Sequence, residues 1–336
     1  MLAPNELVLA ARRVLRLNGE EVAATPILVP SFSSKGIAVD VKKAVEWAEQ
    51  FIDGPTLVSA YDLYYKKITP PFTFPSLILL DSGGYEASKD MDLSELGEKV
   101  HRPKKWTRDM HEQVLADWRS ALPPTVFISY DHPKERLTVP EQIERARQLA
   151  PGRTDIMREV LLKPETTDAT LLKVESILPH VGLLRDFDVI GVTEKEIGNS
   201  IFHRMTNIAK LRSALTKARL DLPIHVFGSL DTVTTSMYFV AGADIFDGLT
   251  WLRFAYFEGN TIYRHIYGAL KLGITTREHL VDGQCWSNNL GYLADRTLEM
   301  RNFIRTHDFA NFKFHPHLIE DAYRSLLTEI GGENGR

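Results

Sequence analysis

The sequence predicts an α/β fold, a (β/α)8 barrel of the TIM type, on three observations. Eight short apolar runs recur along the chain, at 25–32, 56–64, 76–81, 125–131, 158–163, 187–192, 223–228 and 244–249. Most are nearly continuous in apolar residues, as strands buried on both faces of a parallel sheet are. Helical patterns fill several of the gaps, and alternation of strand with helix over eight units is the count of a closed barrel. No glycine-rich phosphate loop follows the first run, which places an open doubly wound sheet second.

The elements follow in order. Residues 13–22 read as strand, turn, strand, because Asn18-Gly19 tolerates positive φ at both positions. Helices are expected at 39–51, 141–149, 169–178, 201–218 and 231–241. In the first of these Val41, Ala44, Val45, Ala48 and Phe51 share one face. Beyond residue 266 the pattern is mostly helical, with helices at 290–305 and 316–330. The expected organisation is an N-terminal hairpin over 1–24, a barrel over 25–265 and a helical extension over 266–336 packed on it, since no linker separates the two.

Composition bounds the chemistry. The 336 residues are 44% hydrophobic and 25% charged, with a formal net charge of −4. That balance argues against holding nucleic acid by overall charge and leaves room for a local basic face. Arg102, Lys104, Lys105 and Arg108 form the clearest basic cluster, around Trp106; such clusters are more often solvated loops. Cys285 is the only cysteine, so neither a disulfide framework nor a multi-thiolate zinc site is available. No leader and no membrane span is read, and a cytoplasmic location is the expectation.

Three apolar runs end in aspartate: Asp81, Asp131 and Asp247. Each alone is commonly a helix cap or a turn residue. Together, at the C-terminal ends of barrel strands, they would surround one mouth. Asp81 opens Asp81-Ser82-Gly83-Gly84-Tyr85-Glu86, where the glycines permit close backbone approach and Tyr85 offers a flat face for a base.

These residues resemble the tRNA-guanine transglycosylases. Asp81 to Glu86 is similar to that family's Asp-Ser-Gly-Gly-Tyr/Phe-Gln motif, and Gly242-Ala243-Asp244-Ile245-Phe246-Asp247-Gly248 to its Gly-Val-Asp-Met-Phe-Asp-Cys motif. Arg253 resembles the arginine that follows. Thr25 to Pro30, the Asn18-Gly19 hairpin, Val189-Ile190-Gly191 and Phe227-Gly228 resemble further segments in the same order, over roughly residues 10 to 260. The resemblance implies a (β/α)8 barrel that exchanges guanine for a 7-deazaguanine base in a nucleic acid. It implies Asp247 as nucleophile, Asp81 as general acid/base and Asp131 at the guanine edge. It also implies Tyr85 and Phe227 around the base, with Ser82, Gly83, Gly191 and Gly228 contributing to base binding. Arg253 and the cluster Arg102, Lys104, Lys105, Arg108 are the expected nucleic-acid contacts.

The chain departs from the family pattern in places. The zinc ligands are missing apart from Cys285, so no zinc and no cofactor is expected. Leu161-Leu162-Lys163-Pro164 stands for Val-Gln-Gly-Gly, Val192 for a glycine, Asp62 for a histidine and Tyr256 for a second arginine. These changes fall around the substrate and favour DNA slightly over tRNA. The expected partners are therefore a nucleic acid (DNA or tRNA) and a free guanine or 7-deazaguanine base, with no membrane; a homodimer is left open. The alternatives are an N-glycoside or nucleoside hydrolase on the same carboxylates, a non-catalytic nucleic-acid-binding barrel, and an unrelated barrel enzyme whose acids hold a metal.

Overall fold

The computed structural model describes residues 8–88, 101–119, 123–132 and 134–333. Residues 1–7 of the expected hairpin segment and 334–336 of the C-terminal extension lie outside them.

The chain opens with an antiparallel hairpin of β1 (Val14–Leu17) and β2 (Glu20–Ala24). Asn18 (φ 53°) and Gly19 (φ 86°) form its turn in the left-handed region. Eight parallel strands follow: β3 (Ile27–Pro30), β4 (Pro55–Ser59), β5 (Leu77–Asp81), β6 (Thr125–Ile128), β7 (Met157–Leu161), β8 (Val189–Thr193), β9 (Ile224–Phe227) and β10 (Ile245–Gly248). They form one sheet in the order β3-β10-β9-β8-β7-β6-β5-β4. A parallel bridge from Ser31 to Leu57 joins its two ends, and the Phe32 N–H donates to the Leu57 carbonyl at 3.0 Å. The expected (β/α)8 architecture is what the chain adopts, with helices outside the sheet.

Side chains alternate strictly across it. Ile27, Val29, Leu77, Leu79, Val126, Ile128, Met157, Leu161, Val189 and Ile245 fill the barrel. Leu15 of the hairpin joins this interior cluster, with Leu17, Val22 and Ala23 packed against it. The hairpin thus closes the N-terminal end. Leu28, Ile78, Leu80, Phe127, Val160, Ile190, Val192, Ile224, Val226 and Phe246 face outward onto the helices, in a separate cluster.

Four expected elements differ. The helix expected at 39–51 spans only Val41–Ala48, and Phe51, placed on its apolar face, lies beyond it and is exposed. The run 56–64 is a strand only to Ser59, where its ladder with β5 ends at the Ser59–Asp81 pair. With no further partner the chain turns into the helix Ala60–Tyr64. The helix expected at 169–178 is confined to Val174–Ile177 and passes at Pro179, which has no N–H to give, into 3-10 turns over Leu178–Asp186. The helix expected at 290–305 runs from Glu278 to Thr306. A second hairpin, β11 (Ala255–Phe257) and β12 (Asn260–Ile262), leads from the barrel to the C-terminal helices. The final helix, Pro316–Glu333, packs its Ile319, Tyr323 and Leu326 into the outer core. Among the described residues no helix is long and apolar enough to cross a membrane.

Candidate active site at the barrel mouth

The period-two alternation that buries Leu77 and Leu79 inside the barrel also turns Asp81 inward at the end of β5. The same rule turns Asp247 inward beyond Ile245 on β10. Both line a cavity of about 610 Å³ at the C-terminal mouth, which Asp131, Tyr85, Phe227, Ser82 and Gly228 also line. The three aspartates expected at one mouth are therefore together.

Asp247 is held at both oxygens. The Ser31 hydroxyl donates to Oδ2 at 2.7 Å and the Gly228 N–H to Oδ1 at 2.9 Å. Gly228 has φ 77°, a left-handed turn after β9 that suits glycine. Behind Asp247 lie two buried groups that the reading of the sequence missed. His225 Nε2 is 3.3 Å from Asp247 Oδ1, and His225 Nδ1 is 2.9 Å from Glu159 Oε1. Burial opposes the imidazolium, but Glu159 and Asp247 outweigh it and raise the His225 pKa to about 10. Burial raises Glu159 while His225 pulls it down. His225 thus stands between two carboxyl groups that favour its charged form. The Phe227 ring, on the cavity wall, stacks on His225 with centroids 3.8 Å apart. A signal for both was present: polar residues at the interior-facing positions of otherwise apolar strands.

Asp81 differs from Asp247. Burial raises its pKa to about 8, with Glu86 and then Asp247 adding to the rise, against an N–H···O bond of 3.0 Å from Gly83. Asp81 is thus kept protonated near neutral pH, while Asp247 is set among hydrogen-bond donors.

The glycines of the Asp81 motif have local steric reasons. Gly83 takes φ 80°, and a Cβ there would stand 2.7 Å from the Tyr61 Cβ. A Cβ on Gly84 would stand 2.8 Å from Asp131 Oδ2, so this glycine lets the β5 turn lie against Asp131. Gly83 does not line the cavity; it presents its N–H to Asp81. Tyr85 lines it with Lys35 Nζ 4.7 Å from its ring centroid, and its hydroxyl accepts from Arg253 at 2.7 Å. Arg253 also donates to the Gly36 carbonyl at 2.6 Å, and it lies on the cavity wall itself.

Asp131 is paired with Lys163 Nζ at 3.3 Å, and Lys163 with Glu196 at 2.7 Å. Burial works against the Lys163 charge, yet Asp131 and Glu196 outweigh it and raise its pKa. Lys163 lies in the run 161–164 that departs from the Val-Gln-Gly-Gly pattern, and this wall of the cavity presents acceptor, donor and acceptor in a row.

Two other departures meet in space. Glu86 is buried and accepts from Ser59 at 2.8 Å and from Ser33. Asp62 is buried and accepts from the Ser34 N–H at 2.7 Å. Burial and Asp62 raise Glu86 to about 7; burial raises Asp62 to about 6 despite the bonds from Ser34. A folded-state pKa above the unfolded value contributes stability that is complete below about pH 4 and is lost as pH rises through the folded value. Stability is therefore expected to fall from pH 5 to 8. Glu86→Gln, which keeps an acceptor and a donor for the two serines, should raise the melting temperature at pH 8 by a few degrees (on the order of 1 kcal/mol) and leave it little changed at pH 5. Thermal melts across that range check this; equal shifts at both pH values would contradict it.

Other expected residues lie elsewhere. Gly191 is not on the cavity wall; it lies between Glu159 and Phe227. None of Arg102, Lys104, Lys105 and Arg108 lines the cavity. Trp106, buried among them, donates to the Ser82 carbonyl at 2.9 Å, and the Lys104 N–H donates to the Tyr61 hydroxyl at 2.7 Å. The cluster thus flanks the Asp81 turn. The basic groups on the wall are instead Lys35, Arg136, Lys163, Lys195 and Arg253. Asp244, in the same motif as Asp247, serves the other end of the barrel, where it pairs with Arg13 at 2.7 Å and with Arg212.

The C-terminal region does not fit a zinc site. Cys285 is buried with Ala255, Tyr267 and Val281, and burial pushes its thiol up to about 12. Among the described residues no group of three or more His, Cys, Asp or Glu is placed to hold a metal ion. The chain matches no protein-family model and no curated protein.

Proposed function

We propose that the protein is a base-exchanging transglycosylase. It removes guanine from a nucleic acid and installs a free guanine-type or 7-deazaguanine base, with DNA favoured slightly over tRNA. The observation that carries this reading is the pairing of Asp247 with Asp81 across one mouth, the first held by donors and the second kept protonated by burial. Asp131 and the aromatic faces of Tyr85 and Phe227 line the same cavity. Its volume of about 610 Å³ is that of a small-molecule site and admits a base taken out of its stack.

The chemistry follows retaining glycoside hydrolysis with a purine as leaving group. An Asp247 carboxylate oxygen attacks C1′ of the sugar, the C1′–N bond breaks, and Asp81 gives its proton to the departing ring nitrogen. The incoming base then gives a ring N–H proton to Asp81, and its nitrogen displaces Asp247 from C1′. Asp131 accepts from the N–H groups of the guanine edge, and Lys163 beside it donates to a carbonyl oxygen. Basic side chains on the wall and at the flank meet phosphates.

Incubation with labelled guanine, with DNA and tRNA side by side, tests the reading. Label is expected in both or in DNA alone, less at high salt. Label in tRNA alone reverses the polynucleotide preference. Release of free base without incorporation supports a hydrolase, and no reaction with either polymer overturns the proposal.

A further inference from the structure

The buried pair behind Asp247 has no part in the steps above. Glu159 and His225 are both fully enclosed, on β7 and β9, with β8 between them. On β8 the residue paired with His225 is Gly191. A Cβ there would stand 2.5 Å from Glu159 Oε1 and 2.7 Å from the Phe227 ring. The missing side chain is the gap through which Glu159 reaches His225. Stability alone does not call for this arrangement, since a buried ion pair is commonly replaced by apolar residues at no loss.

We infer that His225, charged and oriented by Glu159 through the gap at Gly191, is a positioning residue that holds Asp247 ready to attack the sugar and stabilises it when it leaves. The inference rests on the transglycosylase reading. When Asp247 attacks C1′, the C1′–N bond breaks and the aspartate charge is lost in the ester. His225 then keeps Glu159 as its counter-charge and is not left as a lone buried cation. When the incoming base displaces Asp247, the carboxylate reappears opposite the imidazolium. The charged groups facing His225 are Glu159 from β7 and Asp247 from β10. β8 contributes only Gly191 here, and Asp81 lies across the mouth, close enough to Asp247 for the two to interact. His225 is thus the basic group set directly behind Asp247.

The test is the pH profile of labelled-base exchange in wild type, His225→Gln and Glu159→Gln, with thermal melts of each. In His225→Gln kcat is expected to fall roughly 10²–10³-fold, the loss on removing one preorganised electrostatic group at the reacting carboxylate, with KM for the base little changed. The acidic limb of the profile should move to higher pH, because the nucleophile has lost its counter-charge. Glu159→Gln should shift the same limb in the same direction and by less, which keeps the test open if His225→Gln does not fold. A packing role alone would lower the melting temperature and leave the limb in place. A wild type that exchanges no base overturns the reading beneath. A wild type that does so, with unmoved limbs and unchanged kcat in the variants that fold, overturns this inference alone.

Discussion

Asp247→Asn is expected to abolish base exchange, by on the order of 10⁴-fold or more, in a protein that still folds. The amide is close to isosteric. Its oxygen can still accept from the Gly228 N–H, and the Ser31 hydroxyl can turn to accept from its NH₂. What is lost is the nucleophile: an amide oxygen forms no stable ester with C1′. Labelled-base exchange and a thermal melt on one preparation separate the two effects. Full activity in a folded Asp247→Asn would show that Asp247 does not attack the sugar.

The second large effect is expected at Asp81. An amide neither gives nor takes the proton on the base nitrogen, and loss of a placed acid/base costs roughly 10²–10⁴-fold. The direction of the pKa shift adds a sharper result. Burial and the acids Glu86 and Asp247 hold Asp81 protonated up to about pH 8. As the acid for the departing base it works only below that value. Wild-type kcat should therefore fall as pH rises through about 8, and the residual rate of Asp81→Asn should lack that limb. A variant that keeps the limb would assign it to another group.

Much of this site was legible in the sequence, for reasons that can be stated. A parallel strand buried on both faces reads as a continuous apolar run, so an aspartate at its end stands out, and Asp81, Asp131 and Asp247 were found that way. Asn18-Gly19 marked its hairpin because few residue pairs adopt two positive φ values in succession. Glu159 and His225 were passed over because 158–163 and 223–228 were read as apolar runs. Strict alternation places both side chains inside the barrel with Asp247. The same omission hid the reason for Gly191, whose missing side chain serves Glu159 and not the cavity.

Other elements were less legible because tertiary contacts decide them. The helix Ala60–Tyr64 begins where β4 runs out of partner strand, which only the register with β5 reveals. The helix Glu278–Thr306 carries Gly283 and Gly291 and a polar sequence through its first half. It is held by Asn289, whose side chain bonds the backbone at Trp251, Phe254 and Tyr256. The cluster around Trp106 looked like a binding face by charge alone. Its tryptophan anchors the Asp81 turn, and the basic groups of the cavity wall come one at a time from separate segments, Arg253 from the helix Thr250–Arg253.

Base exchange through an aspartyl-linked sugar is tested most directly by trapping that sugar. Wild-type protein is incubated with guanine-containing DNA or tRNA and a slow incoming base, denatured, digested and mapped by mass spectrometry. The expected result is a pentose adduct on the peptide that carries Asp247, absent from Asp247→Asn. An adduct on another residue, or exchange that proceeds in Asp247→Asn, would contradict the account.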